Sequence, residues 1–125
     1  KLAGSYKNKI LSMLASRNYV KALEVSGEME KDGQDYLQAA QQLYRDFSDM
    51  LLILAGANPS DNVSNPKGYK AFASTIGPNG ILECIKLLGD TVNTMVYNTV
   101  DNRILFEVLM FNMIEVIKKY VNTKK

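Results

Sequence analysis

An all-α fold, a single bundle of about five long helices and one short one, follows from three observations on this chain. Apolar residues recur at three- and four-residue spacing along most of its 125 positions, the period of amphipathic helices. No stretch alternates apolar and polar residues as a half-buried strand does. The interruptions are short and carry turn chemistry: Asp32-Gly33, Gly56, Asn58-Pro59, Asn65-Pro66 and Gly77-Pro78.

The first helix is predicted from about Ser5 to Ala15, with Tyr6, Ile10, Leu11, Met13 and Leu14 apolar. The second opens at Asn18, whose side chain suits an N-cap, and runs to Lys31 with Val20, Leu23 and Val25 as early apolar positions. Gly27 inside it costs roughly 1 kcal/mol relative to Ala and is expected to mark close packing. Gly33 ends it, because glycine takes the left-handed cap conformation cheaply. The third helix, Asp35 to Ala55, has the clearest period: Tyr36, Leu37, Ala40, Leu43, Tyr44, Phe47, Met50, Leu51 and Leu54. It is expected to be the central packing element, with Phe47 and Leu51 buried. Its last turn, Met50 to Ala55, is apolar all round and is expected to be the deeper end. Ala57 to Pro66 reads as a loop, and Lys67 to Ile76 as a short helix ended by Gly77-Pro78. Asn79 is then expected to cap a helix from about Gly80 to Asn98, with Ile81, Leu82, Ile85, Leu88, Val92, Met95 and Val96 on one side. A turn at Thr99 to Asp101 leads to the last helix, Asn102 to Val121.

That last helix stands apart. Asp101 or Asn102 can cap it, and Ile104, Leu105, Phe106, Val108, Leu109, Met110 and Phe111 follow with only Glu107 polar among them. A surface helix shows one apolar stripe; a helix apolar nearly all round is covered on most sides. Either it is the central helix, or part of it faces another chain. On the second alternative, some of Phe106, Met110, Phe111 and Met113 are surface buried only on assembly, a role that suits large, adaptable side chains. Arg103 and Glu107, four apart, can pair on one face. A cation in the first turn opposes the helix dipole, so the pair is a candidate bridge between helices or subunits.

The composition bounds the chemistry. The length suits one domain, 1–125, and the first residue, Lys1, suggests a piece of a longer polypeptide. A net charge of +2, with 46% hydrophobic and 22% charged residues, is ordinary for a globular protein and too balanced to argue nucleic-acid binding. No apolar run approaches the ~20 residues of a membrane span, and no signal peptide is visible. Lys118, Lys119, Lys124 and Lys125 gather where they complement a helix C-terminus. Cys84 is the single cysteine, which excludes an internal disulfide or zinc cluster, fits a reducing cytoplasm, and reads as a buried small hydrophobe. The absence of histidine removes the commonest general base and neutral metal ligand. Asp46 with Asp49, and Glu24 with Glu28, read as solvated faces; an enzyme with Asp46 and Asp49 as metal ligands is the least favoured reading. Asp61-Asn62 with Asn65 lacks the closing Glu of a calcium loop. Gly77-Pro78-Asn79-Gly80 reads as a helix-entry turn in preference to an anion site, since proline removes a donor.

At this point the order of motifs resembles a known domain. Asn102-Arg103-Ile104-Leu105, then Glu107 and Leu109, resembles the last helix of the third (collar) domain in the bacterial DNA polymerase III gamma/tau clamp-loader subunit. That family carries Asn-Pro-Arg-Leu…Glu there; here Asn102 precedes Arg103 directly. Leu14 to Leu23, Asp32-Gly33 and Asp46 to Ala55 follow the same order. The family usually has Gly-Asp where this chain has Arg17-Asn18, and Arg where it has Ser48, with Arg45 one turn earlier. The resemblance spans about Tyr6 to Tyr120 and implies a cytoplasmic, catalytically inert subunit-assembly domain. Its partners would be other gamma/tau copies, delta and delta prime, without membrane or direct DNA contact. ATP, magnesium and zinc would belong to N-terminal domains absent from this sequence, and this stretch would carry no cofactor. The interface residues expected are Arg103, Phe106, Glu107, Met110, Phe111 and Met113. The alternative from the residues themselves is a helical adaptor that binds one partner helix or peptide.

Overall fold

Side-chain caps and left-handed turns set where each helix starts and stops. The computed structural model describes residues 4–60, 63–97 and 101–123. They form α1 (Gly4–Ser16), α2 (Tyr19–Lys31), α3 (Tyr36–Leu54), α4 (Pro66–Ile76), α5 (Pro78–Tyr97) and α6 (Asn102–Thr123), with no strand among the described residues. Asn18 caps α2 by accepting from Lys21 N–H at 3.0 Å, and Asp35 caps α3 by accepting from Leu37 N–H at 2.8 Å. Asn65 accepts from Gly68 N–H at 3.1 Å, with Pro66 at the first turn of α4. Asp101 caps α6 through Arg103 N–H at 2.9 Å. The cap expected at Asn79 is displaced: α5 already starts at Pro78, whose missing N–H costs nothing in a first turn. The residues before Asp101 in the expected Thr99–Asp101 turn, like Asn98, Asp61, Asn62, Lys124 and Lys125, lie outside the described residues.

The first three helices end in one backbone motif. After α2, Gln34 N–H reaches Met29 C=O at 2.8 Å and Gly33 N–H reaches Glu30 C=O at 3.1 Å. After α3, Ala57 bonds to Leu52 at 2.9 Å and Gly56 to Ile53 at 3.1 Å. After α1, Asn18 bonds to Met13 at 3.3 Å and Arg17 to Leu14 at 3.1 Å. This pairing satisfies orphan carbonyls and needs a left-handed residue at the turn. Gly33 (φ 70°) and Gly56 (φ 84°) supply it at no steric cost; Arg17 (φ 54°) supplies it with a side chain attached.

α6 is the hub. It touches each of the other five helices, with α1 and α2 paired on one side and α3, α4 and α5 in mutual contact on the other. This resolves the choice the sequence left open: α6 is the central helix, and its own chain covers most of its apolar circumference, leaving Ile104 and Val108 outward. Phe106, Met110 and Met113 are each 0% exposed, so the expectation that they form free interface surface is corrected. α3, expected to be central, contributes a single face: Ala39, Ala40, Leu43, Asp46, Phe47 and Met50 turn inward, while Leu51 is half-buried and Leu52 is exposed. Its last turn is therefore not the deeper end, because a helix on the outside of a bundle buries one stripe whatever its composition. α5 approaches closely where it begins: a Cβ on Gly80 would lie 2.4 Å from Ile76 Cγ2 and 3.0 Å from Tyr120 Cγ.

Candidate functional site

Arg103 sits in the first turn of α6 and joins two helices. Its guanidinium pairs with Glu30 near the end of α2, and its Nε lies 3.2 Å from Glu107 Oε2 one turn on. The bridge expected between elements thus exists, inside the chain. Gly27, on the same side of α2, faces this guanidinium: a Cβ there would meet Arg103 Nη2 at 3.7 Å, an ordinary contact. At the other end Tyr19 of α2 meets Phe111 of α6 edge to face at 5.2 Å, and Lys118 lies 5.0 Å over the Tyr19 ring. Glu30 with Arg103, and Tyr19 with Phe111, make α2 and α6 antiparallel neighbours. Phe111 is half-buried in this contact, so of the four large side chains expected at an interface it alone retains some exposure.

Between those two ties the outward turns carry aliphatic side chains. Val20 and Leu23 on α2 are 66% and 46% exposed, and Ile104 and Val108 on α6 are 53% and 51% exposed. Single exposed aliphatics are normal on a monomer; a group of large ones on adjacent helices marks an interaction surface. The sequence reading named Val20, Leu23 and Val25 as the early apolar positions of α2, and of these only Val25 is buried. The buried side of α2 is instead Ala22, Val25, Ser26 and Met29, a helical spacing hidden because Ala and Ser carry little hydropathy. On α6 the signal was present: Asn112 and Glu115, both exposed, continue the side on which Ile104 and Val108 lie.

A second surface lies between α3 and α5. It is a groove of about 580 Å³ lined by Tyr44 and Arg45 of α3 and by Gly89, Asp90, Val96 and Tyr97 of α5.

The acidic pairs are not alike. Glu24 and Glu28 lie on the outside of α2, as expected, and Glu28 pairs with Lys9 of α1 at 2.7 Å. That ion pair holds Glu28 below the usual carboxylate range. Asp46 and Asp49, expected on a solvated face, are 0% and 4% exposed. A buried carboxylate needs partners, and each has them. Asp46 receives Lys7 Nζ at 3.2 Å and Gln42 Nε2 at 3.0 Å, and stands beside Tyr69 of α4. Burial first, and then the Asp46 charge, push the Tyr69 hydroxyl up from its ordinary value. Asp49 accepts from Ser60 N–H at 3.0 Å and Ser60 Oγ–H at 2.8 Å, tying the loop after α3 to that helix. Asp46 Oδ1 and both Asp49 oxygens are committed to these contacts, and no cluster of three or more metal-ligating side chains occurs among the described residues. Gln42 lies one turn before Asp46 on α3, but helical spacing alone could not have found the other partners, which come from α1, α4 and a loop.

The remaining polar side chains also fasten helices together. Tyr120 donates to Glu83, which Lys119 reaches at 3.1 Å, so α6 is tied to α5 and the Glu83 carboxyl is held low, first by the Tyr120 hydrogen bond and then by Lys119. Tyr6 donates to Asp32, and that bond, with burial, pushes its hydroxyl up to about 12. Burial pushes the Cys84 thiol up to about 12, so it stays protonated and inert, as its place in the apolar pattern implied. No helix among the described residues is long and apolar enough to cross a membrane. Compared with family models, curated proteins and solved structures, the chain matches none.

Proposed function

We propose that this chain is a subunit-assembly domain of the clamp-loader collar type, like the third domain of the bacterial DNA polymerase III gamma/tau subunit. In that role it holds ATPase modules together, through contacts with further gamma/tau copies, delta and delta prime, while the sliding clamp is loaded on DNA. The observation that carries the reading is the aliphatic face of α2 and α6, with Val20, Leu23, Ile104 and Val108 outward around the half-buried Phe111. It moves the interface from the inward side of α6, where Phe106, Met110 and Met113 are core, to the outward one. Arg103 and Glu107 stiffen its edge through Glu30. The backbone adds support at Arg17, whose left-handed conformation is the one that the glycine usual at this place in the resembled family adopts without strain.

Light scattering of the chain, alone and mixed with the collar domains of other clamp-loader subunits, tests this. Association is expected in at least one of these mixtures. Leu23→Glu and Val108→Glu are expected to abolish it with helicity intact, because an unpaired charge at a desolvated contact costs several kcal/mol. A monomer under all conditions overturns the reading. The second reading, a helical adaptor, rests on the groove between α3 and α5; it predicts a monomer that binds a foreign helix and is indifferent to Val108→Glu.

A further inference from the structure

The end of α1, the second half of α4 and the final turns of α6 border a cavity of about 300 Å³. Its walls are Phe72, Ile76, Ile117 and Val121, and among the described residues no acidic side chain lines it. The only polar side chains on it are Arg17 and Thr75. The Thr75 hydroxyl donates to Ala71 C=O of its own helix at 3.0 Å. Arg17 Nη1 donates to Ala15 C=O at 3.0 Å, which keeps the guanidinium beside the α1 wall. Among the described residues this guanidinium has no carboxylate partner. The same residue holds the strained turn after α1. Every other positive φ among the described residues belongs to a glycine, whereas Arg17 keeps φ at 54° with a Cβ. Side chains held in such conformations cluster at ligand sites. What arginine adds here, against a less strained glycine, is a cation without a counter-charge beside an apolar cavity.

We infer that this cavity binds a medium-chain fatty acid anion, with its acyl chain among Phe72, Ile76, Ile117 and Val121 and its carboxylate on the Arg17 guanidinium. The planar guanidinium fork matches a carboxylate in a bidentate pair. The walls are mostly aliphatic and suit an unbranched chain. A peptide would bring N–H and C=O groups that need partners on burial, and Thr75 is the only other polar side chain on the walls. The volume is at the low end for ligand sites, about 300–1,000 Å³, so it takes one acyl chain and excludes a two-chain lipid. The cavity lies toward the opposite end of α6 from Ile104 and Val108, so this inference stands apart from the assembly reading.

Calorimetric titration of the whole chain with decanoate, kept below its micelle-forming concentration, tests this, with 1-decanol as the neutral control. Saturable binding of one decanoate per chain is expected, with the methyl resonances of Ile117 and Val121 shifting as the site fills. Arg17→Gly is expected to weaken decanoate about tenfold or more and to leave decanol unchanged, while the variant is as stable as the wild type or more so. Arg17→Asn, neutral and also suited to the turn, is expected to behave alike. Ala71→Trp, at an exposed position on the cavity wall, is expected to abolish both ligands with helicity intact. No saturable decanoate binding overturns the inference, as do Arg17 variants that bind decanoate as the wild type does or lose decanol equally. Methyl shifts confined to the α3–α5 groove overturn it too. So does a chain that takes up a leucine-ended peptide or phosphatidylglycerol vesicles and not decanoate. A chain that assembles with collar domains but takes no decanoate overturns this inference alone.

Discussion

Arg17 shows how one side chain can be at odds with a backbone that is otherwise uniform. Its turn repeats the motif closed by Gly33 and Gly56, yet it holds φ at 54° with a Cβ. A left-handed residue other than glycine costs ~1–2 kcal/mol, and glycine returns part of that gain as unfolded-chain entropy. Arg17→Gly is therefore expected to raise stability by up to ~1 kcal/mol, and Arg17→Val to lower it by ~1–2 kcal/mol. Urea titration gives both signs; equal midpoints for the two variants would contradict the backbone argument. Asp49 is the counterpart in the loop. Removing its carboxylate in Asp49→Ala deletes two charge-assisted hydrogen bonds to Ser60, a loss of ~1–3 kcal/mol. Faster hydrogen exchange at the Ser60 amide is the specific signature, and unchanged exchange would show that the loop is held by other contacts.

Among the elements, α6 has a sharp contrast between two sides. Phe106 lies 5.4 Å from the Tyr36 ring and is wholly enclosed, whereas Val108, two residues on, is half exposed. Phe106→Ala is expected to cost ~3–5 kcal/mol, the range for emptying a buried aromatic site. Val108→Ser is expected to stay within about 0.5 kcal/mol as a surface change. Thermal melts of dilute monomer check the pair, and comparable losses from both would mean that α6 is covered on its outward side too. Gly80 governs how α5 leaves α4. Any larger residue there drives into Ile76 and Tyr120, so Gly80→Val is expected to lower the melting temperature and loosen the Tyr120–Glu83 tie.

For the whole molecule, tyrosine hydroxyls couple stability to alkaline pH. Tyr6 titrates near 12 in the folded chain against an ordinary 10.0, and Tyr36, Tyr69 and Tyr120 shift in the same direction. A raised folded value means the contribution is complete below about pH 10 and is lost as pH rises through the folded value, because the unfolded chain ionises first. Unfolding free energy is expected to decline from about pH 10 upward, and Tyr6→Phe to flatten part of that decline. The acid limb has the opposite sign. Glu28 and Glu83 are held below the ordinary 4.5, so what they contribute is present above that value and disappears as pH falls through their folded values. A Glu83→Gln chain whose acid unfolding curve overlays the wild type would remove Glu83 from this account.

Local signals carried the architecture. The caps at Asn18 and Asp35, the glycines after α2 and α3, and the long three-and-four spacing of α3 determine helices wherever they occur, because their partners lie within one turn. So the all-α class, the number of helices and most of their ends were legible in the residues. Which side of each helix faces inward was not. Composition cannot tell a helix side covered by its own chain from one covered by another, so Phe106, Met110 and Met113 of α6 could be read as interface until its five neighbours were placed around it. The same ambiguity put Asp46 and Asp49 outside. Burial depends on which helices pack against a face, and these carboxylates are met by Lys7 and Ser60, which arrive from elsewhere. Those partners are up to 39 positions away in the chain, beyond any periodicity, and only the tertiary structure brings them together.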